Sequence, residues 1–195
     1  AIADALKVNY TLTSLDLDGN NIFAGGAIAI ADALKVNCSL KHLNLNGRNS
    51  IQDEGAIALA DALKVNKSLT SLKIGWNDIS KKGVEAIAAA WKVNTSLQHL
   101  DLSGNAFEQE AVVAIADALQ QNTTLTSLHL ISNRLEFLAL DFIAEALTFN
   151  PTLLDLEGKF NCDHRFSGLK RFKNTFFHLQ GLLHILIGED GAQML

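Results

Sequence analysis

Apolar residues along the chain fall into two alternating rhythms. Short stretches place leucine at every second position, as at Leu15 and Leu17 or Leu100 and Leu102. Each is followed by apolar residues at helical spacing, as at Ala27, Ile30, Ala31 and Leu34. The first rhythm predicts a strand with one buried face, and the second a helix with one apolar stripe. The most regular copy runs from Leu97 to Leu119, LQHLDLSGNAFEQEAVVAIADAL. Its leading leucine recurs at Leu12, Leu40, Leu69, Leu125 and Leu153, in steps of 28 residues with a single step of 29. The extra residue falls where Asn46-Gly47-Arg48 fills a gap that two residues span elsewhere. Such a period describes one strand–helix unit copied along the chain, each copy stacking on the last.

An asparagine closes each predicted strand segment: Asn20, Asn49, Asn77, Asn105 and Asn133, with an outlier at Asn161. Where the chain turns off the sheet, backbone groups lose their ladder partners. A carboxamide brings both a donor and an acceptor, so these residues are expected to form a structural ladder between coils. A second set, Asn37, Asn66, Asn94, Asn122 and Asn150, ends the helices and suits a left-handed cap. Such asparagines also create five formal glycosylation sequons, for example Asn94-Thr95-Ser96, while Pro151 spoils a sixth. Cap chemistry repeated by descent is the favoured reading of them. On the helices' outer face, Asp32 with Lys35 and Asp61 with Lys64 are three apart and predict exposed ion pairs.

Because a lone unit buries too little, stability must come from stacking. The opening phrase AIADALKVN recurs inside later units, so Ala1 lies within a unit and a preceding unit or cap is expected. Residues 1–161 divide into a partial first unit, about five full ones and a degenerate sixth, in which Gly158 replaces the third leucine. Residues 162–195 lose the repeat. There Leu169, Phe172, Phe176, Leu179, Leu183 and Leu186 predict one or two amphipathic helices, laid over the last coil as a cap or used for self-association.

Composition narrows the function classes. A net charge of −5 provides no basic footprint for nucleic acid and no polybasic patch for a membrane surface. No apolar run is long enough to span a bilayer. Cys38 and Cys162 lie far apart without metal-type spacing and read as free thiols in a reducing, cytoplasmic compartment.

Parallel strands in register, about 4.8 Å apart, place equivalent residues in columns on the open face. One column reads Asp16, Asn44, Lys73, Asp101, His129, Glu157, and its alternating signs suggest cross-strand pairing. The next reads Ser14, His42, Ser71, His99, Ser127, Asp155. A third begins Asp18, Asn46, Gly75, Ser103, Ile131, with Trp76 beside it. His99 between Ser71 and Ser127, near Asp101, nominally assembles Ser, His and Asp, but an open sheet offers no oxyanion hole or nucleophile turn. His99, Asp101 and His129 lack any metal-site spacing. No catalytic residue, metal site or cofactor is therefore assigned. The expected protein-binding residues are Asp16, Asp18, His42, Asn44, Lys73, Trp76, His99, Asp101, His129 and Ile131, since aromatic anchors within polar surroundings suit protein recognition.

The phrase LxxLxLxxNxI, the Gly55-Ala56-Ile57 helix start and ADALKVNxSL together resemble ribonuclease-inhibitor-type leucine-rich repeats, as in NOD-like receptors and related protist and algal proteins. The resemblance implies an α/β solenoid with a parallel sheet on the concave side, helices on the convex side, and a protein ligand on the concave face or rim. It implies a non-catalytic interaction or sensing module, although no GxxxxGK[ST] nucleotide-binding signature is present. Similar repeats occur in Ran GTPase-activating proteins, so a regulator of a small GTPase is the alternative, with Arg48 and Arg134 the available loop arginines. Neither matches a motif that would carry that role.

Overall fold

The computed structural model describes residues 1–105, 107–160 and 183–187. Strand and helix alternate as the period predicts. The order is α1 (Ile2–Val8), β1 (Ser14–Asp16), α2 (Phe23–Leu34), β2 (His42–Asn44), α3 (Gln52–Val65), β3 (Ser71–Lys73) and α4 (Lys81–Val93). There follow β4 (His99–Asp101), α5 (Gln109–Gln121), β5 (Ser127–His129), α6 (Phe137–Leu147), β6 (Asp155–Phe160) and β7 (Leu183–Ile187). All described strands form one open parallel sheet in chain order. Helices packed 8–10 Å apart, roughly, cannot stack straight against strands about 4.8 Å apart. The sheet therefore lines the inside of the curve.

The core lies between sheet and helices. Leu43, Leu72, Leu100 and Leu128 pair in register across the sheet, and all are buried. The helical stripe is buried as its spacing predicts, from Ala27, Ile30, Ala31 and Leu34 in α2 to Val112, Ile115, Ala116 and Leu119 in α5. In α4 the last stripe position holds Trp91 instead of leucine. Its ring is fully buried, and its indole N–H has no hydrogen-bond partner among the described residues. The helix surfaces carry the expected ion pairs, Lys35–Asp32 and Lys64–Asp61, each at 2.8 Å. The Lys35 ammonium, hydrogen-bonded to it, holds the Asp32 carboxyl below its ordinary value.

Both asparagine sets are structural, by different geometries. In the first set, Asn49 donates through Nδ2 to Leu17 O at 2.9 Å and accepts through Oδ1 from Asn20 N at 2.8 Å. Asn105 accepts from Asn77 N at 3.0 Å, and Asn133 from Asn105 N at 2.9 Å. One rung is missing. The inserted residue near Arg48 moves the loop so that Asn77 Oδ1, though buried, receives no hydrogen bond from the described residues.

The second set departs from the expected left-handed cap. Asn66, Asn94 and Asn122 are extended, with φ of −70°, −77° and −83°. An extended backbone turns the side chain inward, where it joins neighbouring coils. Asn94 donates to Leu63 O at 2.7 Å and Asn66 O at 3.0 Å, while its Oδ1 accepts from Ser96 N at 2.8 Å and Leu97 N at 2.7 Å. Asn37, Asn66 and Asn122 repeat this pattern and are likewise buried. In these four sequons the amide nitrogen that would carry a sugar is engaged inside the solenoid. Asn9 alone among the sequon asparagines is exposed.

A capping interaction between units went unanticipated. Asp53, in the first turn of α3, accepts from Ser80 N at 2.8 Å and Gly83 N at 3.0 Å at the start of α4. One carboxylate thus satisfies free amides of the next helix, where negative charge is favoured.

At the far end, β6 spans six residues where β1–β5 span three, and β7 pairs with it in parallel. Leu183 and Leu186, expected on an amphipathic helix, are in this strand. The rest of the expected cap, the self-association reading of 162–195, and Asn161 and Cys162 lie outside the described residues. Among the described residues, no helix is long and apolar enough to cross a membrane.

Candidate functional site

The columns inferred from spacing are the columns of the sheet. Asp16 aligns with Asn44, Asn44 with Lys73, Lys73 with Asp101, Asp101 with His129, and His129 with Glu157. Asp16, Asp18, His42, Lys73, Trp76 and His99 are exposed, whereas Asn44, Asp101, His129 and Ile131 are half-buried. Between β3 and β5 the face holds a small groove of about 130 Å³, lined by residues that include Lys73, His99, Asp101 and His129.

Several of these polar groups already hold the fold. Asp16, Asn44 and Asp101 each accept, through Oδ1, from the backbone N–H two residues on, at 3.0, 3.0 and 2.9 Å. These side-chain turns end the strands where ladder bonding stops. Lys73 and Asp101 are register partners but form no ion pair among the described residues. Asp101 Oδ2 instead accepts from Asn46 Nδ2 at 2.9 Å, two strands away. The bond passes over Gly75, where a β-carbon would stand 3.4 Å from Asp101 Oδ1 and 3.3 Å from Asn46 Oδ1. The alternating column thus pairs across strands only in part: His129 meets Glu157 at 3.7 Å, while Asp101 takes the Asn46 amide and the Lys73 ammonium has no ion pair among the described residues.

Trp76 is the most unusual residue on this face. Its backbone is left-handed, with φ of 60°, at the position before the ladder asparagine that other units fill with Gly19 and Gly104, at φ of 67°, and with Ser132, at φ of 60°. For a bulky residue that conformation costs roughly 1–2 kcal/mol. Its side chain remains 46% exposed while resting on Gly104. Arg48, in the inserted loop, is also left-handed and exposed, and its N–H donates to Trp76 O at 2.7 Å. Arg134 stands in a later loop, 3.9 Å from Glu108.

The serine, histidine and carboxylate that meet are not those centred on His99. Ser127 Oγ donates to Asp155 Oδ2 at 2.9 Å and lies 3.2 Å from His129 Nε2. The same Nε2 is 3.1 Å from Asp155 Oδ2, while Nδ1 is 3.7 Å from Glu157. A nucleophile–base–orienter relay needs serine on one ring nitrogen and a bonded carboxylate on the other. Here Ser127 gives its proton to the carboxylate, and Glu157 stands beyond hydrogen-bond reach. Asp155 ends the serine–histidine column and Glu157 the column of Asp101 and His129, so register alone places both beside His129.

The leucine-rich repeat family profile matches residues 8–31, 36–60, 65–88 and 93–116. Among solved structures, one titled leiomodin-1 actin-binding site 2 superposes with a TM-score of 0.62 at 23% identity, covering 91% of this chain and 94% of that one. The tropomodulin C-terminal domain of Caenorhabditis elegans superposes with a TM-score of 0.61 at 15% identity, covering 76% and 90%. At these identities the likeness is one of fold. No curated protein sequence matches the chain.

Proposed function

We propose that this chain, a leucine-rich repeat protein with the α/β solenoid fold of that family, is a non-catalytic module that binds a protein ligand on its concave strand face. The observation that carries the reading is Trp76, an indole 46% exposed on a left-handed backbone where other units place glycine or the small Ser132. A bulky side chain held at such a position favours a role in recognition. Lys73, exposed and without an ion pair among the described residues, ends the strand that precedes Trp76, and the groove that Lys73 helps to line supplies a recess on the same face. Aromatic anchors with a polar surround carry most of the energy in protein recognition. Of the ten expected contact residues, Asp18, His42, Lys73, Trp76 and His99 are exposed with side chains that make no hydrogen bond or ion pair among the described residues.

Actin is the first ligand to test, because the leiomodin-1 structure is titled as an actin-binding site. Monomeric and filamentous actin are offered to the wild type and to a Trp76→Ala, Lys73→Ala double variant. Binding weakened at least tenfold, with an unchanged melting curve, is the expected result. Undiminished binding by the double variant would move the site to the convex helices or to residues 162–195. Absence of actin binding in the wild type would reject actin as the ligand.

Within the family, the full-length helices of the middle units favour the ribonuclease-inhibitor type of repeat. The Cys38 thiol, exposed and free among the described residues, fits a reducing, cytoplasmic setting. The alternative of a small-GTPase regulator rests on Arg48, exposed beside Trp76 without an ion pair among the described residues. Accelerated GTP hydrolysis that disappears in Arg48→Ala would favour it over simple binding.

A further inference from the structure

We propose that His129, Asp155 and Glu157 form a divalent-cation site, suited to Zn²⁺, on the open face of β5 and β6. One ligand atom from each lies within 4.8 Å of the others. Register produces this: His129 aligns with Glu157 and Ser127 with Asp155, so alternate residues of two neighbouring strands face the same way. His129 Nε2 and Asp155 Oδ2 are 3.1 Å apart. Two ligands at about 2.0–2.1 Å from a tetrahedral zinc stand roughly 3.4 Å apart, so this pair already spans one edge of the coordination shell.

A second observation points the same way. Carboxylate oxygens of Asp155 and Glu157 stand at the two ring nitrogens of His129, at 3.1 and 3.7 Å, which gathers two acidic groups around one imidazole on the open face. A divalent ion there would be held by the lone pair of one ring nitrogen and by one oxygen of each carboxylate. Ser127 is buried beneath the cluster and donates to Asp155 at 2.9 Å. It thus orients a ligating carboxylate in the way outer-shell groups do at metal sites. A mixed imidazole–carboxylate set of three suits zinc with one position left open. The groove that Ser127 and His129 help to line lies alongside. This site stands independently of the protein-binding reading.

The test uses the full chain, stripped with a chelator and titrated with ZnCl₂ by calorimetry. One equivalent bound with micromolar or tighter affinity is expected. His129→Gln and Glu157→Gln should each weaken it at least tenfold, and His99→Gln should leave it unchanged. Because the substituted side chains are partly exposed, circular dichroism should show all variants folded. NMR of the histidine rings gives a second readout in the unsubstituted chain: on adding Zn²⁺, His129 signals shift while those of His42 and His99 stay in place. No binding in the micromolar range, equal binding by a His129→Gln, Glu157→Gln double variant, or shifts at His42 and His99 equal to those at His129 would overturn the site.

Discussion

The indole of Trp76 lies over the α-carbon of Gly104 in the next unit, so close that a β-carbon there would stand 2.3 Å from Cδ2 and 2.5 Å from Cε2. Gly104→Ala therefore has two effects. It puts a methyl group where the ring rests, and it puts a β-carbon on a backbone with φ of 67°. A loss of about 1–3 kcal/mol in urea unfolding is expected. Emission from Trp76, read in a Trp91→Phe background, should shift red as the ring is displaced toward water. An unshifted spectrum would mean that the ring does not depend on Gly104.

Trp76→Gly separates a structural role from a recognition role. Glycine occupies the equivalent left-handed position at Gly19 and Gly104, so the substitution relieves strain of roughly 1 kcal/mol. Unfolding should be within about 1 kcal/mol of wild type, while ligand binding falls. A large loss of stability would make Trp76 a packing residue and weaken its assignment as an anchor.

Deleting Arg48 leaves Asn46-Gly47-Asn49, the same form as Asp18-Gly19-Asn20 and Ser103-Gly104-Asn105. It removes a left-handed non-glycine residue and lets the asparagine ladder close onto the orphaned Asn77 Oδ1. A gain of about 1–2 kcal/mol is expected from the denaturation midpoint. A loss instead would show that the inserted loop makes contacts worth more than the missing rung.

Trp91→Phe keeps most of the buried ring and removes the indole N–H that has no partner. A stranded buried donor costs about 1–3 kcal/mol, which offsets the lost volume. The variant should unfold within about 1 kcal/mol of wild type, against about 3–5 kcal/mol lost in Trp91→Ala. A Phe variant as damaged as the Ala variant would indicate that the N–H is satisfied in solution.

Asn94→Ala should cost about 2–4 kcal/mol, because it strands carbonyls and amides of three segments inside the solenoid. Asn94→Asp should also destabilise, since a carboxylate cannot donate to Leu63 O and Asn66 O. Asn9→Ala removes only exposed bonds to Thr11 and Leu12 and should cost under about 1 kcal/mol. Similar losses at Asn9 and Asn94 would contradict the inward-facing geometry.

Much of this architecture is legible in the leucines and alanines. Identical units have one way to stack that buries Leu43, Leu72, Leu100 and Leu128 together, so a period of 28 residues sets both the sheet order and its columns. The asparagine ladder is legible for the same reason, since a turn repeated in every coil leaves the same backbone groups unpaired. What the period cannot specify is which polar neighbour a side chain selects. Asp101 takes the Asn46 amide across Gly75 instead of the adjacent Lys73. His129 lies between Asp155 and Glu157, although His99 has the more suggestive sequence neighbours. Asn66 and Asn94 cap in extended geometry, because an inward side chain satisfies two coils where a left-handed turn would serve one. Leu183 and Leu186 join a strand because β6 presents an unpaired edge that local helical spacing does not reveal. The sequence by itself determined the coil, its register and its buried face, since these follow from burial repeated unit by unit. The tertiary structure alone decided the pairing of charges and amides on the open face, since that depends on distances between residues some 28 to 55 positions apart.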